Sequence, residues 1–198
     1  MNKEQDYYLT IAQNSKAEFK EKGSRFIAYT FPITTAEDVK THIASLKKEH
    51  PKASHHCFAY RLGLDGNNFR ANDDGEPSGT AGKPILGQID SKKLTNTLVV
   101  VVRYFGGTLL GVSGLINAYK TTTALALQTT PIIQKAVEIV HEFQYDYTKM
   151  NPIMTIVKQY NCTIIKQEHQ LFYLLTIGIP KARLNEVLYK ITEVIEGK

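Results

Sequence analysis

The stretch 97-TLVVVVRYFGGTLLGVSGLINAY-119 decides the fold of the first part of the chain. Residues 97–105 form a continuous apolar run, which is typical of a central strand buried on both faces. After a glycine-rich turn, apolar residues repeat at helical spacing, so a helix is expected, with Ser113 as its cap. Close packing of the helix on the sheet explains these glycines more simply than nucleotide binding does, although backbone amides at such a helix start could still contact a phosphate.

The segments around this strand predict an α+β fold in two domains. Strands are expected at 24–31 and 55–62, the latter turning at 64–68 into a second strand. Between them, residues 34–50 have helical periodicity, and Thr35 followed by Asp38 is a capping signal. The remainder has the order β-α-β-β-α, which resembles a ferredoxin-like domain, with a turn at His169-Gln170. Pro131 therefore suggests domains at 1–130 and 131–198.

Composition and charge restrict the class of protein. The 198 residues include 42% hydrophobic side chains, enough for a core, and the net charge is +5. Residues 1–130 carry 16 basic and 12 acidic side chains, a net +4, whereas 131–198 carry 8 and 7. A basic balance is compatible with a polyanionic partner. The polar start MNKEQDYYLT, the lack of a membrane-length apolar run and two distant cysteines predict a soluble cytoplasmic protein without a membrane partner.

The loop 70-RANDDGEPSGTAGKP-84 concentrates acidic residues and glycines. Its carboxylates, Asp73, Asp74 and Glu76, could bind a hard cation, but the spacing does not match a calcium-binding loop. Alternatively the loop is a structural turn, in which Asp73 or Asp74 hydrogen-bonds its own backbone and Gly75 adopts a positive φ. Ser78 or Thr80 would then cap a helix that begins near Ala81. Whether the loop holds a metal stays open from the residues alone.

Two further motifs carry possible chemistry. In 54-SHHC-57, a Cys–His nucleophile pair is conceivable, but Cys57 in an apolar strand is more typical of a small buried residue. The glycine turn matches neither the P-loop nor the dinucleotide fingerprint, so we predict no cofactor. Arg103 and Tyr104 end the buried strand beside this turn. Arg103 could contact RNA phosphate, or it could pair with Asp73 or Asp74 if the two loops meet.

Four motifs together resemble the IMPACT family, whose bacterial members are called YigZ-like: GSRFIA (23–28), ASHHCFAYRLG (53–63), NDDGEPSGTAGKPIL (72–86) and VVVVRYFGGTLLGVSGLINAY (99–119). The resemblance implies that the first domain has the fold of elongation factor G domain IV and of a small-ribosomal-subunit protein. It implies a ferredoxin-like second domain, similar to domain V of that factor. It also implies an association with translation, through RNA or ribosome binding in bacteria and through a protein partner in eukaryotes, and it supplies no catalytic residue.

The same resemblance suggests a binding surface on the first domain. Its members are His55, Arg70, Asp73, Asp74, Glu76, Lys83, Arg103 and Tyr104, with Gly106 and Gly107 in the turn. Two departures weaken an RNA contact there, because relatives often have lysine at the position of Leu109 and arginine at that of Asn117. Lys120, one turn further on, could compensate in part.

The sequence therefore predicts a nonenzymatic, translation-associated cytoplasmic protein that binds RNA or the ribosome through its first domain. Nothing in it is specific to DNA recognition. A metal-assisted hydrolase of a phosphate-containing substrate is one alternative, in which the loop carboxylates converge on Mg²⁺. A protein-interaction module is another, in which an apolar sheet face of the second domain is the docking surface.

Overall fold

The computed structural model describes residues 6–169 and 172–197. The strands are β1 (Tyr7–Ile11), β2 (Ser15–Glu21), β3 (Ser24–Pro32), β4 (His55–Leu62), β5 (Asn68–Asn72), β6 (Thr97–Tyr104), β7 (Ile132–Ala136), β8 (Glu138–Tyr145), β9 (Thr163–His169) and β10 (Tyr173–Pro180). The helices are α1 (Ala36–Glu49), α2 (Gly82–Ser91), α3 (Gly111–Thr129), α4 (Met150–Gln159) and α5 (Leu184–Glu196). The turn predicted at His169-Gln170 runs into the gap and lies outside the described residues.

The chain divides into two compact units. The first unit comprises residues 8–134, and the second comprises residues 135–197 with Asp6 and Tyr7. The sequence placed the boundary after residue 130, whereas the units divide after Gln134. The difference arises because β7, which follows Pro131, pairs with β1 near the start of the chain. The predicted α+β class is confirmed.

The first unit is built on an antiparallel five-stranded sheet with the order β2-β3-β6-β4-β5. Residues Leu98 to Val102 of the central strand β6 have no exposed surface. Alternate side chains of β6 pack against α2 and α3 on one face and against α1 on the other. The prediction that this apolar run is a strand buried on both faces is therefore confirmed.

The capping residues predicted from the sequence are correct for only one of the three helices of the first unit. At α1 the predicted capping box is present: the Thr35 side chain accepts from the Asp38 N–H, and the Asp38 carboxylate accepts from the Thr35 N–H. At α3 the prediction was wrong, because the helix begins at Gly111, so that Ser113 lies inside its first turn. At α2 neither predicted residue is the cap, since the Thr80 hydroxyl donates to the carbonyl of Pro77.

The second unit has the element order β8-α4-β9-β10-α5, which confirms the predicted ferredoxin-like order. Its sheet has the order β8-β10-β9, and α4 and α5 bury one face of it. On the other face Thr176 hydrogen-bonds Glu142, Thr163 hydrogen-bonds Glu138, and Val140 is exposed. This face mixes polar side chains with exposed Val140 and half-buried Leu174, so it is not the unusually apolar face that would favour the interaction-module alternative.

Among the described residues, no helix combines the length and the apolar character needed to cross a bilayer.

Candidate functional site

The acidic loop and the glycine turn meet at one end of the five-stranded sheet. An ion pair joins them: Arg103 Nη1 lies 2.6 Å from Glu76 Oε1, and the two side chains are 6% and 3% exposed. The sequence predicted that the loops could pair through Arg103, but the acidic partner is Glu76 and not Asp73 or Asp74. Since Arg103 is buried, it is not available as the phosphate contact that the sequence also allowed.

A buried hydrogen-bond network extends from this ion pair. The Tyr119 hydroxyl donates to Glu76 Oε1 at 2.7 Å, and Arg103 Nη2 donates to Ser24 Oγ at 3.3 Å. The Cys57 Sγ lies 3.2 Å from the Tyr119 hydroxyl oxygen. Burial raises the pKa of both the Cys57 thiol and the Tyr119 hydroxyl, so each stays protonated near neutral pH. Cys57 is thus a buried structural residue and does not have the properties of a nucleophile.

Asp73 caps α2 from a distance along the chain. Its Oδ1 accepts hydrogen bonds from the N–H groups of Ala81 at 3.0 Å and Gly82 at 2.8 Å, and its Oδ2 accepts from Gly79 at 2.8 Å. Burial acts to raise the pKa of Asp73, but these backbone donors, with Lys83 nearby, outweigh it and lower the pKa. The carboxylate therefore replaces the local cap that α2 lacks.

Asp74 and Gly75 both have positive φ values, of 43° and 90°, which confirms the prediction for Gly75. The Asp74 carboxylate accepts a hydrogen bond from the backbone N–H of His56 at 2.6 Å and lies 3.7 Å from Lys47 Nζ. Its carbonyl oxygen lies 2.8 Å from His55 Nδ1. Since a carbonyl only accepts, Nδ1 carries the proton of this bond, and the Nε2 of a neutral His55 is an acceptor.

The loop carboxylates point to separate partners. Asp73 caps a helix, Asp74 pairs with Lys47, and Glu76 pairs with Arg103. In the part of the chain that the structure describes, no three His, Cys, Asp or Glu side chains are grouped so that they could hold a metal ion. The hydrolase alternative required these carboxylates to converge on a common point, so it loses its basis.

The glycine turn is shaped by a close approach between two loops. A Cβ atom added to Gly106 would lie 1.9 Å from the carbonyl carbon of Gly23, in the turn between β2 and β3. The Gly106 N–H also donates to Ser24 Oγ at 3.1 Å. Gly107 has a φ of 84° and open space around it. Gly106 therefore serves packing against the β2–β3 turn, whereas the sequence suggested packing of a helix on the sheet.

The other residues of the predicted surface are dispersed. The Arg70 guanidinium lies 6.0 Å from the ring centroid of Phe58, and the Tyr104 hydroxyl hydrogen-bonds His50 Nδ1 at 2.8 Å, both on the α1 side of the sheet. Lys83 is exposed in the first turn of α2, and Lys120 is exposed on α3. The structure thus brings His55, Asp73, Asp74, Glu76, Arg103 and Gly106 together but separates Arg70 and Tyr104 from them.

Sequence reasoning missed a cavity of about 480 Å³ between the acidic loop and the start of α3. Its floor is polar, with His55, Glu76 and Arg103, and its walls are apolar. The large apolar side chains exposed on these walls are Phe105 (48%), Leu109 (84%) and Val112 (60%). The available signal was the apolar 109-LLGV-112, directly after the glycine turn.

Comparisons with known proteins agree with this architecture. The family profile described as the Impact N-terminal domain matches residues 22–127. The IMPACT family member YigZ of Escherichia coli is 35% identical over 178 residues, covering 89% of this chain and 87% of that protein. An IMPACT family member of Haemophilus influenzae is 34% identical over 192 residues, covering 95% and 93%. A crystal structure described as that of a hypothetical protein superposes with a TM-score of 0.79 at 33% identity, covering 98% and 95% of the two chains. This chain therefore belongs to the IMPACT family, as its motifs predicted.

Proposed function

We propose that this protein is a cytoplasmic, translation-associated regulator that binds RNA, free or within the ribosome, through the exposed basic residues of its first unit. Membership in the IMPACT family supports the link with translation. The observation that carries the RNA contact is electrostatic. Residues 8–134 contain 15 basic and 10 acidic side chains, a net charge of +5, while the acidic loop is neutralised internally.

Exposed cations remain available for phosphate groups. Lys22, Arg70 and Lys120 are exposed and form no ion pair with any described carboxylate. Lys120 is the single charged residue of the nineteen in α3, so no acidic side chain on that helix opposes it. Uncompensated positive charge of this kind attracts the phosphate backbone and supplies most of the affinity of nonspecific RNA binding.

The basic residues of the first unit differ in their exposure, and only the exposed ones can contact RNA. Because Arg103 is held by Glu76, its reversal would perturb folding before it perturbed binding. Charge reversal belongs instead at Lys83 and Lys120, which are exposed. Lys158 on α4 is an exposed lysine of the second unit and provides the matched control.

The test is a salt titration of the binding of fluorescein-labelled single-stranded RNA to the full chain. We expect binding that weakens with salt, because neutralised phosphates release counterions. Lys83→Glu and Lys120→Glu should each weaken binding and lower the slope of log K against log salt by roughly 0.7 per lost contact, and Lys158→Glu should do neither. Absent or salt-insensitive binding, or an equal loss in all three variants, would contradict the proposal.

A further inference from the structure

The cavity beside the glycine turn has the size and composition of a ligand site. Its volume of about 480 Å³ falls in the range of small-molecule sites, roughly 300–1,000 Å³. Phe105, Leu109 and Val112 form its exposed apolar wall, and Leu115 lies behind them. Apolar walls with a few convergent polar groups are the usual composition of a pocket for a small, partly polar group.

The aromatic wall offers a stacking surface. The Arg103 guanidinium carbon lies 5.6 Å from the ring centroid of Phe105, and the ion pair with Glu76 holds that guanidinium in place. The ring is therefore supported from beneath, while about half of the residue is exposed. An aromatic ring held in this way can stack a planar base, as aromatic side chains do in proteins that bind single-stranded nucleic acid.

The floor of the cavity presents two hydrogen-bond acceptors. Glu76 Oε1 is occupied by Arg103 and Tyr119, and no donor among the described residues hydrogen-bonds Oε2. His55 Nε2, an acceptor in the neutral ring, lies 4.0 Å from that oxygen. The exocyclic amino group of a nucleobase has two N–H donors, so it can satisfy both acceptors at once.

Other occupants satisfy this floor less well. An aliphatic side chain would leave both acceptors unpaired and cut off from water. A cation gains little there, because Arg103 already neutralises Glu76 and the first unit carries a net positive charge. Uracil has one N–H donor on its pairing edge, at N3 between two carbonyl oxygens, and it lacks an amino group whose two N–H donors could bridge both acceptors.

We infer that this cavity binds one unpaired, amino-bearing nucleobase (adenine, cytosine or guanine) of a single-stranded RNA. The inference rests on the proposed function, since it names the part of the RNA that is recognised. The phosphate of that nucleotide would lie at the cavity mouth, which Gly111 lines at the start of α3. No side chain caps this helix, so its first amides are free to donate to a phosphate.

The test compares the full chain and two variants for binding to short oligoadenylate, oligocytidylate and oligouridylate at one low salt concentration. The cavity variant is Phe105→Ala. The control is Ile116→Ala, on the exposed side of α3 but outside the cavity lining. We expect the adenine and cytosine oligomers to bind the unchanged chain more tightly than the uracil oligomer. Phe105→Ala should weaken the binding of the adenine and cytosine oligomers about tenfold and remove their advantage over the uracil oligomer. The circular dichroism spectrum of Phe105→Ala should match that of the unchanged chain, and Ile116→Ala should bind all three oligomers as the unchanged chain does.

The outcomes separate this inference from the proposed function. If the oligomers bind with salt dependence but without a base preference, and Phe105→Ala has no effect, the nucleobase assignment is overturned. The proposed function would still stand, and the apolar wall of the cavity would then indicate an apolar side chain of a protein partner as its occupant. If no oligomer binds, the proposed function fails, and free AMP, CMP and UMP test the cavity directly. Saturable binding of AMP and CMP over UMP would then support the assignment, and its absence would overturn it.

Discussion

Removing the Glu76 carboxylate should destabilise the first unit severely. In Glu76→Ala, the Arg103 guanidinium, 6% exposed, keeps a hydrogen bond to Ser24 but loses its counter-charge. The Tyr119 hydroxyl loses the acceptor that lies 2.7 Å away. Because a buried charge is left uncompensated, the free energy of unfolding should fall by about 3–5 kcal/mol. Glu37→Ala, which breaks an exposed pair with Lys40, should cost less than about 1 kcal/mol.

The assay is urea unfolding followed by circular dichroism, since the chain contains no tryptophan. With an m-value of about 2 kcal/mol per M, a loss of about 4 kcal/mol lowers the midpoint by about 2 M. The double variant Glu76→Leu/Arg103→Met should recover most of this loss, because it removes both charges and keeps apolar volume. If Glu76→Ala costs no more than Glu37→Ala, or if the double variant is less stable than the single one, the reasoning is wrong.

Three further changes test other parts of the site. Asp73→Ala should cost about 1–2 kcal/mol in urea unfolding, since three backbone N–H groups lose their acceptor. Burial acts to raise the pKa of Asp73, but those donors lower it below its ordinary 3.8. The stabilisation by Asp73 is therefore present above about pH 4 and is lost as the pH falls through the lower pKa of the folded state. If the free energy of unfolding of Asp73→Ala depends on acid pH as that of the unchanged chain does, this reasoning is refuted. Gly106→Ala should lower the melting temperature more than Gly87→Ala in α2, whose added Cβ meets nothing within 4 Å and whose φ is not positive, and equal melting temperatures would argue against the close loop contact. In a Cys162→Ser background, Cys57 should resist iodoacetamide in the folded protein and react in urea, because burial raises the pKa of its thiol; rapid reaction of the folded protein would contradict that burial.

Much of the fold was predictable because its strands and helices depend on residues that are close together in the sequence. Residues 98–102, which β6 buries on two faces, are all apolar, and Thr35 with Asp38 forms the capping box of α1 within one turn. The strand β2 was missed. Its sequence SKAEFKE alternates charged and small or apolar residues, as suits an exposed sheet edge, and charged residues weaken a strand signal.

The site was less predictable because its contacts join distant segments. Asp73 caps a helix nine residues later at Gly82, beyond the reach of any local capping pattern. Gly106 packs against Gly23, and its N–H bonds Ser24, 82 residues earlier. Three neighbouring carboxylates looked equivalent in the sequence, and only the folded chain shows that Glu76, not Asp73 or Asp74, faces Arg103.

Co-sedimentation with ribosomes from the protein's own source tests the central claim most directly. The purified chain, Lys83→Glu/Lys120→Glu and the control Lys158→Glu would be compared at about 50 mM and about 200 mM salt. We predict that the unchanged chain and the control sediment with ribosomes at low salt and dissociate at the higher salt, and that the double variant stays in the supernatant. Failure of the unchanged chain to sediment at low salt, or sedimentation of all three proteins regardless of salt, would contradict binding through the basic surface of the first unit.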